Sequence, residues 1–324
     1  MMRWIRVGLT YTGAIAGAGF SSGQEIYQFF SRYKSWGTIG ILVAGLLFYV
    51  IGWRALEQGR RGVVAASSPK GMYGGTREGV TLAFLVTGLG VVVAGGGATV
   101  HQLVGVPTWV GSSITLMLIL LVVFFGVQLM MLVNTIVVPY SMLLTLVVAW
   151  IYVPRGTSWA KTSLVTPHGW PLSALLYVSY NIFTAILVLF AVGGSLPSRR
   201  DTGRAALLGA ILLTAMALLE HRVLLGLPTV GDLPLLEAAR HIHSTLGLLF
   251  GISLWTALFT TGIAEAFAFV DRVGRRWGVG LIGTLPLSFC GFQGMVAMLY
   301  PLMGGVASLI WVPLLKSDQD QNLL

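Results

Sequence analysis

The stretch Gly13-Ala-Ile-Ala-Gly-Ala-Gly-Phe-Ser-Ser-Gly-Gln-Glu25 interrupts the first apolar segment of the chain with glycines, serines, a glutamine and a carboxylate. In a bilayer every backbone N–H and C=O group needs a partner, so irregular backbone at membrane depth occurs where protein buries it or where it lines a water-filled cavity. Many secondary transporters use broken helices of this kind to present carbonyl oxygens and helix N-termini to solutes. The stretch therefore predicts a broken first span with a binding site at the break.

The rest of the chain is dominated by apolar segments. Of its 324 residues, 56% are hydrophobic and 10% are charged, which is too little charge to cover a soluble domain of this size. Because a spanning helix needs about 20 apolar residues, the sequence predicts an all-α polytopic membrane protein. The ten predicted spans cover residues 5–30, 36–56, 78–104, 108–126, 127–152, 172–193, 203–223, 244–270, 278–293 and 294–315.

Basic residues orient the predicted bundle, because the cytoplasmic flanks of spans collect Lys and Arg. With the N-terminus inside, most of the 20 basic residues fall on the cytoplasmic side. We therefore expect a multi-pass protein of a prokaryotic cytoplasmic membrane, with both termini in the cytoplasm. The net charge of +9 follows from this topology and requires no nucleic-acid partner.

Ten spans divide into two halves of five. The predicted single membrane domain, 1–324, comprises a first five-helix repeat at 1–155, a second at 156–316 and a cytoplasmic tail at 317–324. Because five is odd, the halves would be inverted, and inverted repeats predict a broken first span in each half. The corresponding signal in the sixth span is its polar cluster, Ser179 to Asn181 and Thr184. We therefore expect helices 1 and 6 to be discontinuous.

The connection between the seventh and eighth spans, residues 226–244, contains the pattern of a short amphipathic helix. Two interpretations stay open. The segment is either an ordinary surface loop or an external lid over the solute path.

The run Gly-Ala-Gly-Phe-Ser-Ser-Gly-Gln-Glu at 17–25, at the break of the first of ten spans, resembles the YkvI family of bacterial membrane proteins. That family is similar in turn to the amino acid–polyamine–organocation (APC) superfamily, which has the fold of the bacterial leucine transporter (LeuT). The resemblance implies ten transmembrane helices in two inverted five-helix repeats, and transport by alternating access.

The resemblance also implies a sodium site. In the LeuT fold, two carbonyls of the broken first helix and a carbonyl plus two hydroxyls of the eighth span hold the ion. Carried over to this sequence, the ligands are Gly13, Ala16, Ala257, Thr260 and Thr261. From the residues alone, the small and hydroxyl side chains on this face of the eighth span are explained equally well by helix packing. No other cofactor is expected, because the single Cys290 and the five histidines form no metal-binding pattern.

The candidate solute site is formed by residues of the two predicted breaks. They are Gly17, Ala18, Gly19, Ser21, Ser22, Gln24 and Glu25 in the first span, and Ser179, Tyr180, Asn181 and Thr184 in the sixth. An ionised carboxylate at membrane depth costs on the order of 2.5–3.5 kcal/mol, so Glu25 needs a compensating interaction. It either caps the resumed helix, in a capping box with Ser22, or it binds a solute amine or carries a coupling proton.

The resemblance implies a gate at the cytoplasmic face as well. Arg6, before the first span, would pair with Asp271, beyond the eighth. The alternative is that both are solvated charges at the membrane surface.

These features predict a secondary active transporter of a small organic solute, an amino acid or an amine, coupled to Na+ or H+. A sensor of the same fold that binds its ligand without transport is the alternative. An enzyme is not expected, because the spans contain no His-Glu-x-x-His motif and no paired aspartates. The expected partners are the small-molecule solute and the lipid bilayer, and the oligomeric state is left open.

Overall fold

The computed structural model describes residues 2–62, 74–125, 128–152 and 169–316, and these are helical apart from turns and short connections. The expected tail at 317–324 and most of the boundary between the expected halves, 153–168, lie outside the described residues. The α-helices in chain order are α1 (Arg3–Ile15), α2 (Ala18–Ser22), α3 (Gln24–Phe29), α4 (Ser35–Arg61), α5 (Gly74–Val104), α6 (Thr108–Phe125), α7 (Gln128–Ile151), α8 (Trp170–Gly193), α9 (Arg199–Gly226), α10 (Pro234–Ile242), α11 (Ser244–Val273), α12 (Leu285–Ser288) and α13 (Phe292–Lys316).

Within the described part of the chain, six helices are long and apolar enough to cross a membrane, namely α4, α5, α8, α9, α11 and α13. Shorter apolar helices cover Thr108–Phe124 and Tyr140–Ile151. Several apolar runs form helices close to their predicted bounds. The run predicted at 244–270 forms the helix Ser244–Val273, and the run predicted at 108–126 forms the helix Thr108–Phe125. The chain is an all-helical membrane protein.

The first predicted span is divided into three short helices. At the end of α1, the N–H of Gly17 donates to the carbonyl of Ile15 at 2.7 Å, instead of to the carbonyl of Gly13 as a continuous helix would require. Between α2 and α3, Gly23 has a φ of +81°, a left-handed conformation that glycine adopts without strain. The two glycines therefore end one helix and redirect the next.

The sixth predicted span is one continuous helix, α8, so the expected discontinuity of helix 6 is wrong. The chain has neither glycine nor a further proline between Pro171 and Gly193. The polar side chains bond within the helix instead. Asn181 Nδ2 donates to the Tyr177 carbonyl at 3.0 Å, and Thr184 Oγ1 donates to the Asn181 carbonyl at 2.8 Å. Polar groups that are satisfied in this way need no break in the backbone.

The segment predicted as a ninth span at 278–293 is not one continuous α-helix. Residues Arg275–Thr284 form a 3-10 helix that continues into the four-residue α12, and Gly291, with a φ of +75°, turns the chain into α13. The 3-10 stretch contains several glycines, which disfavour an α-helix.

The long helices pack as two groups. α1, α4, α8 and α9, here called the bundle, pack on one another, and α5, α6, α7 and α11, here called the scaffold, form the second group. Glycines bring the bundle helices close together, because a Cβ at Gly52 or Gly209 would collide with the ring of Tyr11. The hydroxyl of Tyr11 donates to the Phe48 carbonyl at 2.7 Å. The α2 segment touches the scaffold whereas α3 touches the bundle, so the break lies between the two groups.

The two ends of the molecule differ. At one end, called the basic end, lie the start of α1 and the charged termini of α4 and α11, with Arg60 bound to Glu57 and Arg272 3.5 Å from Glu78. At the other, called the lid end, α10 packs against α2, α7, α9 and α11. The broken first span therefore lies under α10.

Candidate functional site

A cavity of about 270 Å³ lies at the break in the first span. It is lined by the end of α1, the break, and residues of α3, α5, α7, α8, α11 and α13. Both the bundle and the scaffold contribute walls, and ligand sites favour such boundaries between packed units. Its volume is near the lower limit of about 300 Å³ for ligand pockets, so the cavity suits a small solute.

The five residues of the expected sodium site all line this cavity. On the scaffold wall, the hydroxyls of Thr260 and Thr261 both donate to the carbonyl of Ala257, at 3.1 and 2.9 Å. On the opposite wall, the Gly13 carbonyl is released from its usual helical donor by the turn at Gly17. Neutral carbonyl and hydroxyl oxygens therefore lie on both walls of the cavity, and oxygen donors of this kind suit hard cations.

Glu25 extends from α3 to the cavity and is 4% exposed. Its Oε2 has no hydrogen-bond partner among the described residues, and its Oε1 lies against Gly19, where a Cβ would collide with it. At the start of α3 it is Ser22 Oγ that accepts the N–H of Gln24, at 3.1 Å. The side chain that caps the start of α3 is therefore Ser22, and a role of Glu25 toward a ligand stays a prediction.

A second carboxylate reaches the cavity from the scaffold. Glu265 on α11 lies against Gly88 of α5, and its Oε2 also lacks a partner within the described part of the chain. Tyr180 and Tyr300 line the same cavity as the two carboxylates, and their rings stack with centroids 4.3 Å apart. Lys, Arg and His are absent from the described residues that line this cavity. The cavity is therefore acidic and aromatic.

The cavity continues toward the basic end. A second cavity of about 410 Å³ shares Tyr180, Thr184, Ala264 and Glu265 with the first and extends to Arg272. The expected gate residues at this end, Arg6 and Asp271, are both exposed, and across the described residues they form no ion pair with each other. Their pairing stays a prediction for a conformation that is closed at this end.

The lid end is closed over the break. Leu235 of α10 packs against Gly23, and Gln24 Nε2 donates to the Gly231 carbonyl at 3.3 Å. Asp232 Oδ1 accepts the N–H of Gln293 at 3.0 Å, which ties the same segment to α13. Of the two interpretations of residues 226–244, these contacts favour the lid.

Two relatives match nearly the whole length of the chain. Over 322 aligned residues the chain is 27% identical to the membrane protein YkvI of Bacillus subtilis (strain 168), with 93% of this chain and 92% of YkvI covered. The predicted resemblance to YkvI is confirmed. The chain is also 24% identical to the protein YyaD of the same organism, with 94% of this chain and 92% of YyaD covered. No protein-family model matches the chain.

The fold has a solved counterpart. An inward-facing structure of Mhp1 matches 94% of this chain and 73% of its own with a TM-score of 0.65 and 13% identity. At this identity the likeness establishes the fold, so the chain and Mhp1 share one helix arrangement.

Most of the predicted solute-site residues line the central cavity. Those that line the central cavity are Gly17, Gly19, Ser21, Glu25, Tyr180, Asn181 and Thr184. Three others lie beside it: Ser22 bonds to the Gly19 carbonyl at 2.6 Å, Gln24 bonds to the lid, and Ser179 is buried inside the bundle. For Ala18 only the backbone is described, as the first residue of α2.

Among the lining residues that sequence reasoning missed, three have polar side chains. Glu265 ends the small-residue face of the eighth span, and that spacing could have identified it. Ser141 and Tyr300 lie close to prolines within apolar runs, Pro139 and Pro301, which is a weaker signal. Their position depends on how the two helix groups dock.

Proposed function

We propose that this protein is a secondary active transporter of a small organic solute, an amino acid or an amine, driven by Na+ or H+. The observation that carries the proposal is the cavity at the broken first helix, which lies between two helix groups and continues toward the basic end. A cavity that is closed at the lid end and continued at the basic end is what one state of an alternating-access cycle requires.

The solute's amine binds Glu25, and its remaining groups contact the polar side chains of Ser21 and Asn181 in the same cavity. Sodium binds the carbonyls of Gly13, Ala16 and Ala257 and the hydroxyls of Thr260 and Thr261. Their neutral oxygens fit a monovalent cation. If protons drive transport instead, Glu25 is the residue that carries them.

The transport cycle rocks the bundle against the scaffold. Closing the basic end brings Arg6 to Asp271, and opening the lid end separates α10 from the break. We propose ten spans in two inverted repeats, consistent with the shared fold, and a cytoplasmic location for the basic end, consistent with its arginines.

The test is thermal stability of the purified protein across a panel of amino acids and amines, with and without sodium, followed by uptake of the stabilising solutes into proteoliposomes. Ligands that bind the folded state raise its melting temperature. A solute that stabilises in sodium and accumulates along a sodium gradient supports the proposal. Binding without uptake favours the sensor, and failure of the whole panel to bind contradicts both.

A further inference from the structure

We infer that the solute is a linear dication, with an ammonium group at each end of a short aliphatic chain. This inference rests on the proposed function, because it assigns the chemical class of solute to the same cavity. Its basis is the pair of carboxylates, the pair of tyrosines and the direction of the hydroxyl groups.

The two carboxylates come from different helix groups. Glu25 is on α3, which packs on the bundle, and Glu265 is on α11 of the scaffold. Each has an Oε2 without a partner among the described residues, and each Oε1 lies against a glycine, Gly19 or Gly88. A solute with one ammonium group at each carboxylate would therefore connect the two groups that move in transport.

Four hydroxyl groups on the walls of the cavity offer only acceptors to a ligand. The hydroxyls of Thr184, Thr260 and Thr261 each donate their proton to a carbonyl of their own helix, and Ser141 donates to Ser21 at 3.2 Å. A hydroxyl whose proton is already donated offers only its lone pairs to a ligand. An ammonium group, with three donors and no acceptor, is complementary to such walls, whereas a carboxylate is not.

The two tyrosines suit the aliphatic part of such a solute. The stacked rings of Tyr180 and Tyr300 both line the central cavity, and Tyr180 also lines the second. An aromatic ring packs on methylene groups and attracts a cation over its face. A zwitterion of the same length would place its own carboxylate beside Glu25 or Glu265, where like charges repel.

The experiment uses three four-carbon probes that differ at one end: 1,4-diaminobutane, butylamine and 4-aminobutanoate. Their affinities are measured on the purified protein by calorimetry. We expect the diamine to bind at least about tenfold more tightly than butylamine. Butylamine has one ammonium group, so it cannot form the charge-assisted hydrogen bond at the second carboxylate. We expect 4-aminobutanoate to bind weakest. Equal or tighter binding of 4-aminobutanoate overturns the inference.

Variants locate the effect. In Glu25→Gln and in Glu265→Gln, the ratio of diamine to butylamine affinity should fall to about one, and it should persist in Asp201→Asn, at the start of α9. Because the ratio is measured within one sample, a reduced folded fraction does not alter it. A ratio unchanged in both Gln variants overturns the inference.

The two proposals fail separately. If an amino acid binds and is taken up while the diamine is not, the transporter stands and the dication is wrong. If none of the solutes binds or accumulates, both are wrong.

Discussion

The first and sixth predicted spans carry similar signals, yet one is broken and the other is continuous. Both place polar residues in the middle of an apolar run, and both contribute walls to the cavity. The first contains glycines at its turns, one of them with a positive φ at Gly23, whereas α8 has none before Gly193. Polar residues at membrane depth therefore indicated the site, while glycines decided where the backbone breaks.

The largest difference in stability is expected when a proline is placed in each of the two spans. Ala185→Pro, in the fully buried middle of α8, should cost about 3 kcal/mol or more, because it removes a helical hydrogen bond and collides with the preceding turn. Gly17→Pro should cost only about 1 kcal/mol, since it loses one hydrogen bond. The preceding Ala16 already has a ψ of 68°, outside the helical region. Melting temperatures of the two variants measure the difference. Equal losses of stability would contradict the break that is assigned to the first span.

A second test concerns the turn glycine. Gly23→Ala should destabilise the protein by about 1–2 kcal/mol, because a Cβ is strained at positive φ and would meet Leu235 of the lid. Gly13→Ala is the matched control, since nothing lies within 4 Å of its added Cβ. Unfolding of the two variants in denaturant measures the difference. If Gly13→Ala is destabilised as much as Gly23→Ala, the left-handed turn assigned to Gly23 is contradicted.

Two serines sharpen the comparison further. Ser22 makes two hydrogen bonds at the break, so Ser22→Ala should cost about 1 kcal/mol, as the loss of a helix cap does. Ser179 is buried in α8, and its hydroxyl has no partner within the described ranges, so Ser179→Ala should be neutral or stabilising. Melting temperatures of the two variants measure the losses. A larger loss in Ser179→Ala than in Ser22→Ala would contradict the hydrogen bonding assigned to the two serines.

The smallest expected effect is a pH dependence of the lid, which covers the broken span. Burial raises the pKa of the Glu237 carboxyl above its ordinary value, against the opposing N–H of Gly231. The packed lid is thus stabilised at pH below the ordinary pKa, and this stabilisation is lost as the pH rises through the raised pKa. Melting temperature should fall across that window in the wild type. The slope of melting temperature against pH should be shallower in Glu237→Gln and unchanged in Glu78→Gln; a slope that is also unchanged in Glu237→Gln would contradict the assignment to the lid.

Much of the fold follows from local sequence. Apolar runs gave the bounds of α6 and α11 nearly to the residue, and glycines gave the break. The continuity of α8 was missed because symmetry was given more weight than the hydrogen bonds that Asn181 and Thr184 make within their own helix. The glycine-rich 3-10 stretch before α12 was missed because hydropathy does not distinguish helix types.

The site was predictable in part, and for a different reason. Residues at the break are adjacent in sequence, so Ser21 and Glu25 could be assigned to it from the chain alone. Glu265 and Tyr300 reach the same cavity from α11 and α13, and their convergence depends on the docking of the bundle on the scaffold. The direction in which a hydroxyl donates, such as that of Thr261 to Ala257, is likewise a property of the folded helix.

The central claim is that the solute passes through the cavity at the break, and Cys290, the only cysteine, permits a direct test. In a Cys290→Ser background, Ala264→Cys lines both cavities, whereas Val178→Cys is fully buried and lines neither. We expect a water-soluble maleimide to label Ala264→Cys but not Val178→Cys, and to abolish uptake in proteoliposomes of the solute identified by the panel. Full labelling of Ala264→Cys with uptake unchanged would contradict the account.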